Sequence, residues 1–159
     1  MSLATDSIFT TALQSNSDLM AKLGYVAPTL TDKGKPARLY GTAIPLPDED
    51  LDNVPVPYVI VTFDGLNNDA GTKDDSYESE CDRVNIGIEV VSKTLEDLHG
   101  LTQMVRDTVL AYFRANHTNV EDYTFSADAI QYDSLKPCYW QTLRYQCEVD
   151  NNIKDNDDE

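Results

Sequence analysis

Positive charge is scarce in this sequence: 12 lysines and arginines stand against 28 aspartates and glutamates among 159 residues, a formal net charge of -16. Such a balance argues against a surface that captures nucleic-acid phosphates by counterion release, and equally against attachment to an anionic membrane. Long apolar runs are missing as well. No window approaches the roughly 18 to 20 apolar residues that span a bilayer, and the N-terminus lacks the basic-then-apolar pattern of a secretory signal. A soluble chain made in a cytoplasm is expected. Cysteine is sparse: Cys81, Cys138 and Cys147 form no Cys-x-x-Cys pair, and their odd number does not suggest a disulfide framework. They read as free thiols, with Cys147 a small hydrophobe on an apolar strand face.

Signatures of chemistry are absent too. There is no glycine-rich phosphate loop, nucleophile elbow or His-Glu-x-x-His motif. His99 and His117 are isolated from any His, Cys or carboxylate at metal-ligand spacing, which leaves them surface or loop residues. Asp48, Asp50 and Asp52 alternate as carboxylates do in a calcium loop. Asn53, however, replaces the glycine that the sharp turn needs, and Val59 stands where the bidentate glutamate belongs. A solvated acidic loop is the better reading. Pairs such as Glu78 and Glu80 could do acid-base work, but in so acidic a chain they arise by chance. Tyr139, Trp140 and Tyr145 could stack on bases, yet only Lys136 and Arg144 accompany them, so packing is expected. Asn116-His117-Thr118 matches a glycosylation acceptor, which means nothing without a secretory route. No enzyme activity, cofactor or metal is expected.

What is present begins with Arg83 to Asn116. Val84, Ile86, Ile88 and Val90 alternate with polar residues or glycine, the period of a half-buried strand. From Thr94 the period becomes helical: Leu98, Leu101, Val105, Val109 and Tyr112 form a stripe widened by Met104, Thr108 and Ala111. Thr94 fits the N-cap, and Asp97 suits the positive end of the helix dipole. Ala4 to Leu23 also reads as helical. Ser15-Asn16-Ser17-Asp18 competes for backbone hydrogen bonds, so two short helices are as consistent as one, with Gly24 as C-cap. Strands are expected over 38–44, over 57–63, weakly around 126–132, and strongly over 139–149. His117 to Asp122 reads as a turn, and Leu66 to Asp82 as a long polar loop.

The 41% hydrophobic content suits one domain over 1–150, followed by an acidic, disordered tail at 151–159. The fold class expected is α+β: a four- to five-stranded, mainly antiparallel sheet, a long helix across one face and a shorter N-terminal helix.

The order of these elements carries a resemblance. An N-terminal helix, a strand ending in proline, Pro57-Tyr-Val-Ile-Val, a polar hairpin loop, then Arg83-Val-Asn-Ile-Gly-Ile-Glu-Val-Val-Ser-Lys-Thr leading into a helix with Leu-x-x-x-Val-Arg resembles the tail-terminator and tail-completion proteins of tailed bacteriophages. The resemblance covers roughly Asp6 to Val149. It implies an α/β subunit of a homo-oligomeric ring, typically a hexamer, at the head-proximal end of the tail tube. There the ring ends tube polymerisation and offers a surface to the neck. The implied partners are the tail-tube protein and neck or connector proteins, with DNA only passing through the lumen. The implied location is the virion, assembled in the host bacterial cytoplasm. A head-completion or other neck ring protein is the alternative within the class. An acidic DNA mimic that blocks a nuclease, and a small enzyme, are the alternatives outside it.

A ring that DNA traverses gains from a lumen that repels phosphate. The candidate channel or inter-ring residues are therefore the acidic loops: Asp48, Glu49, Asp50 and Asp52, and Asp69, Asp74, Asp75, Glu78 and Glu80.

Overall fold

The computed structural model of the chain describes residues 2–42, 54–68 and 81–150. After a 3-10 turn at Ser2–Ala4 come helices α1 (Thr5–Gln14) and α2 (Ser17–Lys22). Then follow strands β1 (Leu39–Gly41), β2 (Tyr58–Asn67) and β3 (Cys81–Ser92), helix α3 (Leu95–Ala115), and strands β4 (Val120–Ala127), β5 (Gln131–Asp133) and β6 (Cys138–Asp150).

The break between α1 and α2 falls where the polar quartet places it. Asn16 caps α2: its side-chain oxygen accepts from the backbone N–H of Asp18 at 3.0 Å and of Leu19 at 3.2 Å. Its amide donates to Thr108 Oγ1 at 2.8 Å, tying this cap to α3. Gly24 ends the segment at φ +89, a region that favours glycine, and a Cβ there would run into the Arg38 guanidinium. Thr94 caps α3 by accepting from the Asp97 N–H at 3.1 Å.

Six strands form one sheet in the order β1-β2-β3-β6-β4, with β5 on the same edge of β6 as β4. Among the described strands only the β1–β2 pair is parallel. The sheet has one strand more than the upper expectation because the weak fourth strand is split. β4 begins at Val120, inside the segment read as a turn, and β5 resumes at Gln131. Alone, β4 is too polar to declare itself; pairing with the strongly patterned β6 recruits it.

The helices cover one face. Val59, Val61, Val84, Ile86, Ile88, Val90, Leu143, Tyr145, Cys147 and Val149 project from the sheet into a core closed by Phe9 and Leu13 of α1 and by Leu98, Leu101, Val105 and Val109 of α3. Each such side chain, fully withdrawn from water, contributes about 1.5–3 kcal/mol before entropy is counted. An aromatic cluster occupies the β4 side of this core. Tyr145 touches Phe9, Tyr123 and Phe125, and the Arg106 guanidinium lies 4.1 Å from the Phe125 ring centre. Among the described residues no helix covers the opposite face of the sheet.

Candidate functional site

The nine carboxylates singled out in the sequence, Asp48, Glu49, Asp50, Asp52, Asp69, Asp74, Asp75, Glu78 and Glu80, lie outside the described residues. The anchorage of the second group is described. β2 runs on to Asn67 and β3 begins at Cys81, so the long segment between them is the connection of an antiparallel hairpin. Asn68 closes its base by donating to Asp82 Oδ1 at 2.7 Å and to the Cys81 carbonyl at 3.4 Å. Asp82 is thereby held in a buried position by a hydrogen bond, without which a buried carboxylate would be costly.

On the uncovered face, one transverse row runs Thr62, Gly87, Arg144 and Ser126 across β2, β3, β6 and β4. Gly87 leaves a notch in it, since a Cβ there would meet the Asp64 carboxylate and the Thr62 hydroxyl. Asp64 reaches this place because it is the extra residue of a β-bulge between Phe63 and Gly65, where Gly65 has φ +127. The strand expected over 57–63 therefore does not end there but runs on to Asn67. A lone glycine inside a strand pattern is also the mark of a bulge, and the strand continues through it.

Arg144 grips Asp128 through both carboxylate oxygens, at 2.8 to 3.0 Å, and stands 3.8 Å from Asp64. The hydrogen bonds from Arg144 hold the Asp128 carboxyl below its ordinary range, and Asp128 in turn raises the Arg144 guanidinium. The concavity around them, about 400 Å³, is lined by Asp64, Asn85, Thr124, Ser126, Arg144 and Gln146. It holds amide and hydroxyl groups and one ion-paired cation, a set suited to polar contact with another surface.

Toward the other end of the same face the row Tyr58, Val91, Trp140 is more apolar. Burial pushes the Tyr58 hydroxyl up to about 12, with Glu89 adding to it, and desolvation raises Glu89 itself. Trp140 is on this face, whereas Tyr139 packs against the core and Tyr145 lies within it, so the three aromatics do not form a common platform. His99 and His117 are exposed. Among the described residues no three His, Cys, Asp or Glu converge as a metal site, and no helix is long and apolar enough to cross a membrane. Cys81, Cys138 and Cys147 are free thiols.

No family model and no curated protein matches the chain. Among solved structures, a chain of the virion of native gene transfer agent (GTA) particle matches over 92% of this chain and 94% of its own, with a TM-score of 0.55 at 13% identity. The bacteriophage SPP1 gp17 protein matches over 95% of this chain and 92% of its own, with a TM-score of 0.43 at 18% identity. At such identities the likeness to the gene transfer agent chain is one of fold: this chain is an α+β domain built on the plan of a component of that virion.

Proposed function

We propose that the chain is a structural subunit of a tailed-phage-like particle, one copy of a homo-oligomeric ring at the head-proximal end of the tail that ends tube polymerisation and joins tail to neck. The observation that carries the reading is the fold shared along nearly the whole chain with a component of a gene transfer agent virion. The layout of the strand and helix over 83–116 and the want of any catalytic motif in the sequence support it. The polar end of the sheet face that no described helix covers, around Arg144 and Gln146, suits a protein whose work is contact.

In this reading the acidic segments face the lumen or a neighbouring ring. A polyanion passing through a charged pore is retarded by attraction and released by repulsion, and a chain of net charge -16 supplies repulsion.

The test is the location of the protein in assembled particles, by labelling or cryo-electron microscopy, together with the phenotype of its loss. A terminator sits on the last tube ring, and without it tubes grow beyond their normal length. Tails of normal length that fail to join heads would overturn the terminator reading in favour of a neck ring.

A further inference from the structure

Two exposed apolar patches lie at opposite edges of the sheet. The first is on an arm between α2 and β1. Its foot is tied by the Arg38 N–H to the Leu23 carbonyl at 2.8 Å, and its two limbs pair through Val26 and Lys35, with both hydrogen bonds at 2.9 Å. Its tip is closed by Thr29 and Asp32: the Asp32 N–H donates to Thr29 Oγ1 at 3.0 Å, and the Asp32 carboxylate accepts from the Gly34 N–H at 3.1 Å. Gly34, at φ +74, admits no side chain, because a Cβ would strike the Val26 carbonyl. The arm is thus an ordered hairpin whose apolar side chains stay exposed among the described residues: Leu30 is 107% exposed, and Tyr25 and Val26 are each 47% exposed. The second patch is at β5 and the turn after it, where Leu135 is 96% and Tyr132 54% exposed. Leu3, Leu66, Leu95 and Leu110 are also exposed but belong to neither patch.

Charge divides in the same way. Lys22, Lys33, Lys35 and Arg38 are four of the 12 cations, and only Asp32 opposes them between positions 22 and 42. From Val120 to Pro137, Glu121, Asp122, Asp128 and Asp133 stand against the single cation Lys136, with Asp128 also held by Arg144. Two copies carrying -16 each repel at a distance, so a contact between copies needs a local reversal of sign, and the arm supplies it.

The heights agree as well. The Arg38 carbonyl accepts from Val59, and the adjoining row of the sheet runs Tyr58, Val91, Trp140, Gln131. The arm's foot and β5 therefore stand at the same end of the sheet on opposite edges. Displacing one copy across the strands brings its arm to the next copy's β5, a heterologous contact of the kind that closes rings.

We propose that the Tyr25–Pro36 arm of one copy docks on β5 and the β5–β6 turn of a second copy, Leu30 packing on Tyr132 and Leu135 with Lys33 and Lys35 facing the acidic edge. This rests on the ring reading in one respect, that copies meet head to tail.

The test uses the full chain carrying Cys81→Ser, which removes the one native thiol that is not buried, with Leu30→Cys and Leu135→Cys added separately, mixed and combined, under mild oxidation. The combined variant should give a ladder of covalent oligomers, the mixture of single variants a crosslinked dimer, and each single variant alone neither. Leu30→Asp, which removes no buried side chain and leaves the fold intact by circular dichroism, should weaken self-association in sedimentation about tenfold or more. Dimers formed by Leu30→Cys alone would mean that arms meet arms and would overturn the proposal. Wild-type oligomers without the mixed crosslink would overturn this contact and leave the ring standing. A wild-type chain that stays monomeric up to about 1 mM would likewise overturn the contact, since the ring reading is decided by location in particles.

Discussion

Tyr145 is the largest wholly buried side chain, and its hydroxyl finds no hydrogen-bond partner among the described residues. A phenol is an odd choice at the centre of an aromatic cluster, because the desolvated hydroxyl costs about 1–3 kcal/mol when unpaired. Tyr145→Phe keeps the ring contacts with Phe9, Tyr123 and Phe125 and discards that cost, so it should stabilise the protein by about 1 kcal/mol, read as a higher urea midpoint at unchanged slope. A lower midpoint would show that the hydroxyl is satisfied. Cys147 is the complementary case. Burial pushes its thiol from 9.0 up to about 12, so between those values the folded chain keeps a proton that the unfolded chain has lost. Stability from this group is whole below pH 9 and drains away as pH rises toward 12. At pH 8 Cys147 should resist a thiol reagent until global unfolding, while Cys81, the only one of the three not buried, reacts first. Mass spectrometry of the labelled peptides checks the order.

At the scale of elements, the caps matter more than helix propensity. α2 has six residues, too few to persist alone, and stands because Asn16 satisfies two of its orphan N–H groups while its amide holds Thr108. Asn16→Ala should therefore cost about 1–2 kcal/mol in chemical denaturation. Asn16→Asp should recover the cap but not the bond donated to Thr108, and so fall between the two. α3 has a longer apolar face and its own Thr94 cap, and it was readable from periodicity alone. The strands divide similarly. β3 and β6 carry alternation strong enough to be seen without a partner. β4 was hidden because its half-buried Val120, Tyr123 and Phe125 lose strict alternation at a bulge between Val120 and Asp122.

For the whole molecule the question is where the negative charge acts. Replacing Asp69, Asp74, Asp75, Glu78 and Glu80 by Asn and Gln removes carboxylates without changing volume, and in the proposed ring it should slow or curtail DNA ejection from assembled particles. Ejection and assembly indistinguishable from the wild type would count heavily against a lumenal place for that segment. Folding of the domain should not suffer, because fewer like charges reduce self-repulsion.

The amino-acid sequence by itself determined the class of the fold, the strand and helix over 83–116 and the burial of Cys147, since each is written in local periodicity, while at Ser15–Asp18 it left one helix or two equally open. The row of Thr62, Gly87 and Arg144, the bulge that aims Asp64 at Arg144, the Asn16–Thr108 bond across 92 positions and the opposition of a basic arm to an acidic edge were decided only by the tertiary structure. The physical reason is that these relations join residues far apart in the chain. Strand register and the packing of helices on one face bring them together, and no local pattern records which strands will be neighbours.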